Sequence, residues 1–254
     1  MVSPLRLRRL VMLLALPLLA ACSVPEPGNE GGIHDPYEPA NRRVHEFNKS
    51  LDRSVVRPLA RGYTRAVPDG IEDSIVQFGD TFSTPGYAVN RLLQGDLRGA
   101  GLNTVRFATN AVLGFGGIFD VAKEFGLPAE ATDFGETLAV WGVPEGAYRV
   151  SPVFGPSTER DSAGRLVGWF LNPLDIALPR PERYSGLVAR GLGGLTERGR
   201  FSDTYDSVLH ESADSYAQTR LIYLQSRRFE LGARSGGAPA EETFTDPYEE
   251  LYGD

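Results

Sequence analysis

Asp96-Leu97-Arg98-Gly99-Ala100-Gly101-Leu102-Asn103-Thr104-Val105-Arg106-Phe107-Ala108-Thr109-Asn110-Ala111-Val112-Leu113 is the stretch on which the fold turns. Leu97, Gly101, Val105, Ala108 and Val112 share one stripe at helical spacing, yet Leu102, Phe107, Ala111 and Leu113 make other faces apolar too. A helix that is greasy on several sides is either deeply buried or turned toward lipid. Upstream, Ile71, Ile75, Phe78 and Phe82 recur at i, i+4, i+7 and i+11, and Thr84-Pro85 reads as the restart of a second helix carrying Val89, Leu92 and Leu93. Before these, Pro39 opens an amphipathic stretch with Val44, Phe47, Leu51 and Val55 that Pro58 is expected to break.

Downstream, Gly114-Phe115-Gly116-Gly117 forces a turn, and Asp133 with Glu136 resembles a capping box ahead of Leu138 to Trp141. The segment from Gly142 to Pro156 holds three prolines and reads as irregular. Asp161 is placed to cap a helix carrying Leu166, Trp169 and Phe170, and a glycine-rich helix follows from Pro181 to about Arg198. The last helix is expected from Ser212 to Leu231, with Ala213, Ala217, Leu221 and Leu224 on one stripe, Arg227 and Arg228 in its final turn and Gly232 as its stop. No sustained two-residue alternation occurs, so the fold is expected to be all-α.

The chain starts differently. Arg6, Arg8 and Arg9 precede an apolar run from Leu10 to Leu19, followed by Ala20, Ala21 and Cys22, the only cysteine. This is the pattern of a bacterial lipoprotein signal over residues 1–21, with Cys22 as the lipidated first residue of the mature chain. Each buried methylene adds about 0.8 kcal/mol, so the two or three acyl chains expected there would anchor stably. Ser23, not the aspartate that commonly retains lipoproteins at the inner membrane, favours the outer membrane. Residues 22–34, rich in proline and glycine, form a flexible tether. A helical domain over 35–232 and an acidic tail over 233–254 complete the expected organisation. The tail carries Glu241, Glu242, Asp246, Glu249, Glu250 and Asp254 with no base, and reads either as a disordered interaction tail or as a dispensable end.

Composition excludes several classes. With Cys22 lipidated, no thiol remains for a disulfide, a metal thiolate site or a nucleophile. The formal charge of −7 includes the three leader arginines, so the mature chain is more acidic still, which argues against nucleic acid. In the mature chain the longest apolar run, Ala111 to Phe119, is interrupted by three glycines and falls short of a spanning helix. His34, His45 and His210 are far apart, at no metal-ligand spacing, and are read as surface or capping residues. Gly114 to Gly117 lacks the strand and the Lys-Ser/Thr of a phosphate loop. No Gly-x-Ser-x-Gly elbow is present. Asp133 and Glu136 are better caps than an acid/base pair, so no catalytic residue, metal or cofactor is expected. Trp141 and Trp169 are core or interface aromatics, the latter role being one that tryptophan fills at membrane surfaces.

In order, several segments resemble one family. They are Asp35-Pro36-Tyr37-Glu38-Pro39-Ala40-Asn41-Arg42, Phe47-Asn48, Val56-Arg57-Pro58, Asn90-Arg91-Leu92-Leu93-Gln94-Gly95-Asp96, and Leu113 to Ala122. Asp133-Phe134-Gly135-Glu136-Thr137-Leu138, Pro152 to Ser157, Arg160-Asp161 and Ser212 to Phe229 continue it. The chain is similar to the MlaA/VacJ family from about Asp35 to Leu231. Ala40 departs from that pattern, where an aromatic or bulky residue is frequent, and Pro144 and Glu145 stand in a loop, Gly142 to Tyr148, that is glycine-richer in other members.

The resemblance implies a ring of amphipathic helices embedded in one leaflet of the outer membrane, around a central amphipathic channel. It implies a non-enzymatic role: taking phospholipids mislocalised in the outer leaflet and passing them to an MlaC-like periplasmic lipid carrier, often beside a trimeric porin. Headgroups would cross a polar lumen while tails stay in apolar surroundings. Gly142 and Gly146 are then candidates for the moving or shaping part of the channel, against the plainer reading of a tight turn. Asn41 is a candidate for holding the first helix in register near it. A membrane-anchored lipid hydrolase and a purely tethering lipoprotein are the competing functions.

Overall fold

The computed structural model describes residues 33–234. The expectations for the leader, for lipidation at Cys22 and for the acidic tail fall outside them. The chain runs through α1 (Glu38–Leu51), a π-helical segment (Asp52–Val56), α2 (Arg57–Ala66), α3 (Asp69–Leu93), α4 (Leu97–Val112) and a short α5 (Val121–Glu124). After α6 (Phe134–Val140) come β1 (Tyr148–Ser151) and β2 (Gly155–Thr158), then α7 (Glu159–Gly168) and α8 (Pro173–Ala177). A 3-10 turn (Glu182–Tyr184) leads into α9 (Ser185–Arg200), α10 (Ser202–Asp206), a second π segment (Ser207–Glu211) and α11 (Ser215–Arg234).

Four expectations change. Pro58 does not break the first helix: the π segment widens the rod at Asp52–Val56, and Pro58 falls in the first turn of α2, where a missing N–H costs nothing. Pro85 lies inside one 25-residue helix rather than starting a second. In the turn before it Ser83 Oγ donates to Gly79 O (2.8 Å) and Thr84 Oγ1 to Asp80 O (2.9 Å), back-bonds that favour a bend, and Asn172 Nδ2 supplies an outside donor to Phe82 O (3.0 Å). Asp161 does not cap α7. Thr158 does, its Oγ1 accepting from the Asp161 N–H (3.2 Å). Gly232 does not stop α11, which starts at Ser215 behind an Asp214 Oδ1 bond to Ala217 N (3.0 Å) and continues to Arg234. One glycine within a helix costs only about 1 kcal/mol.

The stretch read as irregular contains an antiparallel hairpin, with Tyr148 opposite Thr158 and Ser151 opposite Gly155. The outer edge of β1 is completed by α1 rather than by another strand. Asn41 Nδ2 donates to Tyr148 O (3.0 Å) and its Oδ1 accepts from Val150 N (3.0 Å). One heptad on, Asn48 Nδ2 donates to Ser151 O (3.0 Å) and its Oδ1 accepts from Val153 N (2.8 Å). Each side-chain amide thus stands in for a peptide group of a missing strand. Between the hairpin, α1 and α11 lies a compact apolar core of Tyr148, Val150, Tyr216 and Leu224, with Val44 and Tyr223 against it.

Neighbouring elements close a circuit. The α1 helix lies on β1 and continues through the π segment to α2; α2 packs on α9, and α9 on α3. From α3 the path goes to α6, α7, β2 and back to β1. Helix α4 packs along α3 outside this circuit, carrying α5 with it. The α3–α9 crossing is close because Gly79 meets the backbone of Ala189 and Arg190, where a β-carbon would sit 3.3–3.4 Å away.

Candidate functional site: a polar interior, an apolar exterior and a pinned loop

The two readings of the 96–113 helix are decided by which face α4 buries. Its buried residues are Gly99, Ala100, Asn103, Arg106 and Asn110, whereas Leu97, Val105 and Val112 are 74%, 52% and 77% exposed. The greasy stripe points out and the polar stripe points in. Asp96 Oδ1 caps the helix by accepting from Gly99 N (2.8 Å). Inside, Arg106 Nη2 pairs with Asp120 (2.5 Å) and its Nη1 donates to Leu127 O (2.6 Å). Asn110 bridges Asp120 Oδ1 (3.0 Å) and Ala122 N (2.8 Å), and Asn103 donates to Glu130 O (3.0 Å). The polar face of α4 therefore holds the segment from 120 to 130 in place.

The same inversion recurs through the described residues. Buried Arg91 reaches Glu130 (3.2 Å) and Glu136 (3.5 Å), while Leu92 and Leu93 beside it are exposed. Phe115, Ile118, Phe119, Phe170, Ile176, Leu187 and Val188 also face outward. Among the described residues Phe82 is the one large aliphatic or phenyl side chain buried outside the hairpin, Val143 and Leu224 regions. In water each outward side chain forfeits roughly 1.5–3 kcal/mol of burial, and so much apolar surface marks a lipid or protein interface. Trp141 and Trp169 are outward too; Trp141 Nε1 donates to Leu93 O (3.0 Å). That resolves their role toward interface aromatics. No described helix is long and apolar enough to cross a membrane.

Asp133 caps α6, its Oδ1 accepting from Glu136 N (2.8 Å) and pairing with Arg227 (2.8 Å). The Glu136 carboxylate instead faces Arg91 and accepts from Thr132 Oγ1 (2.8 Å). The histidines part company with their surface reading. His45 is buried against Ser215 Oγ (3.0 Å), and burial lowers its pKa. His210 Nε2 meets Asp52 Oδ2 at 2.9 Å. Asp52, Asp206 and His210 bring ligand-type atoms within 4.8 Å of one another, a grouping across three elements that no sequence spacing betrays. Arg198 forks Asp52 (2.8 Å, twice) and pairs with Asp206 (2.7 Å), and Arg57 and Arg61 also hold Asp206. Those guanidiniums occupy the carboxylate lone pairs that a metal ion would need, so the cluster is an ion-pair network.

The loop from Gly142 to Tyr148 is tied at several points. Gly142 (φ +84°) is exposed and donates to Ala139 O (2.9 Å); Gly146 (φ +73°) is buried. Val143 and Ala147 are buried, Glu145 pairs with Arg228 (3.0 Å), and Ala147 N donates to Glu159 Oε2 (3.2 Å). Pro144 and Ala40, two of the departures from the family pattern, are both exposed. Asn41 is buried and also donates to Asp35 Oδ1 (2.9 Å). It grips Tyr148, two residues from Gly146, so the structure brings these two together at the hairpin end, while Gly142 sits at the α6 end. Asn48 was legible only as part of a motif, although its seven-residue spacing from Asn41 places both on one face of α1.

A helical circuit with polar groups inside and large apolar side chains outside is the build of a protein that lies in or on a membrane without spanning it. Comparison with known proteins gives the family. Residues 33–230 match the MlaA lipoprotein family, and the chain belongs to it. It is 31% identical over 229 residues to the intermembrane phospholipid transport system lipoprotein MlaA of Escherichia coli K12, covering 89% of each chain. An uncharacterized protein of Rickettsia felis is 41% identical over 203 residues, covering 78% of this chain and 80% of its own. A chain solved as the structural basis for maintenance of bacterial outer membrane lipid asymmetry superposes with a TM-score of 0.65 at 29% identity, covering 78% of this chain and 98% of that one.

Proposed function

We propose that the protein is an outer-membrane lipoprotein that removes mislocalised phospholipids from the outer leaflet and passes them to a soluble periplasmic carrier. The single observation that carries this reading is the inverted polarity of α4, whose apolar stripe faces out over an interior of Asn103, Arg106 and Asn110. Apolar exterior surface seats the body sideways in hydrocarbon, the polar stripe of α4 being spent inward on the 120–130 segment, so that tails meet apolar surroundings while headgroups are left to the lumen of the circuit. The E. coli and Shigella flexneri relatives bear the name of an intermembrane phospholipid transport system. Transport in this sense breaks no covalent bond.

In this reading the helical circuit surrounds an amphipathic channel, the body sits in the inner leaflet, and acyl chains on Cys22 anchor it at the end of a short tether. A trimeric porin is a partner that would hold such a body at the outer membrane. Cys22→Ala should leave the protein soluble or misplaced in membrane fractionation; a variant still as tightly associated with the outer membrane as wild type would assign anchoring to the helical body alone.

Gly142 and Gly146 shape the channel through a loop whose backbone no other residue adopts without cost. A β-carbon at Gly142 meets open space, with no neighbour within 4 Å, so Gly142→Leu costs about 1 kcal/mol of backbone strain and little packing. A folded Gly142→Leu protein should therefore accumulate phospholipid in the outer leaflet of a strain in which it replaces the wild-type protein. Wild-type levels would remove the loop from the transport path and leave it a tight turn.

A further inference from the structure

The first turns of α3 and α9 enclose an apolar groove that the transport reading does not by itself require. Ile71, Ile75 and Phe78 of α3 form one wall, Val188 and Leu192 of α9 the other, and Ile118 from the glycine turn closes one side, around a space of about 710 Å3. That volume lies within the range of small-ligand sites. The groove exists because the two helices are drawn together at one level and carry large side chains beyond it. Gly79 touches Ala189 and Gly186 sits against Phe82 at the crossing, so the branched and aromatic side chains beyond have no room to interlock and line a trough instead.

What the groove would hold follows from its chemistry. Its walls are mostly hydrocarbon, with Ser74, Ser185, the Tyr184 hydroxyl and the Glu182 carboxylate as the polar groups of the lining, too few and too scattered to fix a polar ligand along its length. Ile71, Ile118 and Val188 are 54%, 42% and 59% exposed, so the trough opens onto the outward apolar surface and is continuous with it. At its rim, beside Glu182, stand two cations. Arg183 lies over the Tyr184 ring (5.1 Å) and donates to its hydroxyl (3.2 Å), and exposed Arg180 immediately precedes Pro181 of the lining. A hydrocarbon trough with a net cationic rim is complementary to an acyl chain ending in a phosphate diester.

We propose that this groove is a docking site for one acyl chain of a phospholipid, with Arg180 and Arg183 at its rim placed for the headgroup phosphate. The assignment rests on the reading that the protein handles phospholipid and adds where on the body a tail is held. A lipid seated there lies along the α3–α9 pair, the same pair that takes part in the helical circuit, so it is poised at the wall of that circuit rather than in bulk bilayer.

The test uses the full-length protein in detergent with phosphatidylglycerol carrying a diazirine in one acyl chain. Irradiation followed by peptide mass spectrometry should place the label on residues 71–78 and 184–192. Ile75→Trp with Val188→Trp fills the trough and should lower that labelling several-fold, whereas Leu221→Trp on the outward face of α11 should not. Arg183→Gln should lower labelling by phosphatidylglycerol more than labelling by a diacylglycerol bearing the same diazirine. Label concentrated elsewhere, or groove labelling indifferent to both fillers, overturns the proposal while phospholipid co-purifying with the protein keeps the transport reading. Absence of both label and co-purified phospholipid overturns the two together.

Discussion

Arg198→Met is expected to lower the stability of the folded protein by about 3–5 kcal/mol, the cost of stripping the partner from buried carboxylates. Arg198 is only 4% exposed and ties its own helix α9 to two others: the first π segment through Asp52, and α10 through Asp206 and the Ser202 carbonyl (3.3 Å). Asp206 would keep Arg57 and Arg61, but Asp52 would be left with His210 alone. The pH dependence gives the prediction its sign. Burial pushes the Asp52 carboxyl up, yet the bonds from Arg198 and His210 outweigh it and hold the group below the usual carboxylate range. Asp206 behaves alike, with burial opposed by Arg198 and Arg57. A depressed folded pKa means stability that is present above the unfolded value near 4 and lost as pH falls through the folded one. In the variant burial wins at Asp52 and the sign reverses there. Denaturant unfolding followed by tryptophan fluorescence should show a large gap between wild type and Arg198→Met at pH 7 that narrows below about pH 5. A gap that is small at neutral pH, or widens on acidification, would show that the network contributes little.

The second large effect belongs to Asn41. Asn41→Ala should destabilise by about 2–4 kcal/mol, because it orphans the Tyr148 carbonyl and the Val150 N–H, each a buried group costing roughly 1–3 kcal/mol when unpaired. Asn41→Asp should do no better: it keeps an acceptor for Val150 but sets a carboxylate against the Tyr148 carbonyl and Asp35. Asn48 makes the same pair of bonds to the hairpin turn, but there Val153 is exposed and water can replace the lost partner, so Asn48→Ala should cost under about 1 kcal/mol. The ordering is the measurement. Equal effects at the two asparagines would show that burial of the edge, rather than the amide contacts, holds the hairpin.

These two sites mark where the sequence was readable and where it was not. The helices rest on local periodicity, so Ile71 to Phe82, Leu97 to Val112 and the α11 stripe were visible as spacing. The two prolines misled because breakage depends on what else can satisfy the carbonyls: Asn172, far along the chain, donates to Phe82 O in the turn before Pro85, and a π segment precedes Pro58. The hairpin was hidden because its strands are four residues each and its outer edge is completed by asparagines more than a hundred residues away in sequence. Arg198 and its carboxylates carry no spacing signal at all.

The direction of α4 was the question that composition left open. A helix with two apolar faces fits a core or a membrane equally well, and only the positions of Asn103, Arg106 and Asn110 relative to Leu97, Val105 and Val112 distinguish them. Those polar residues fall three and four positions apart, a second stripe at helical spacing that was in the sequence but outshone by the apolar one. Its inward direction depends on Asp120, Ala122, Leu127 and Glu130 arriving from a later segment to meet it.

In this reading the inverted body moves intact phospholipid. That movement is tested most directly by reconstituting the full-length lipidated protein in vesicles containing phospholipid labelled in both headgroup and acyl chain, with a soluble lipid-binding acceptor outside. The account predicts protein-dependent appearance of both labels on the acceptor in unchanged ratio, as intact phospholipid, and its reduction in Gly142→Leu. Labels that stay in the vesicles at the protein-free rate, or that part into lysophospholipid and free fatty acid, would contradict it.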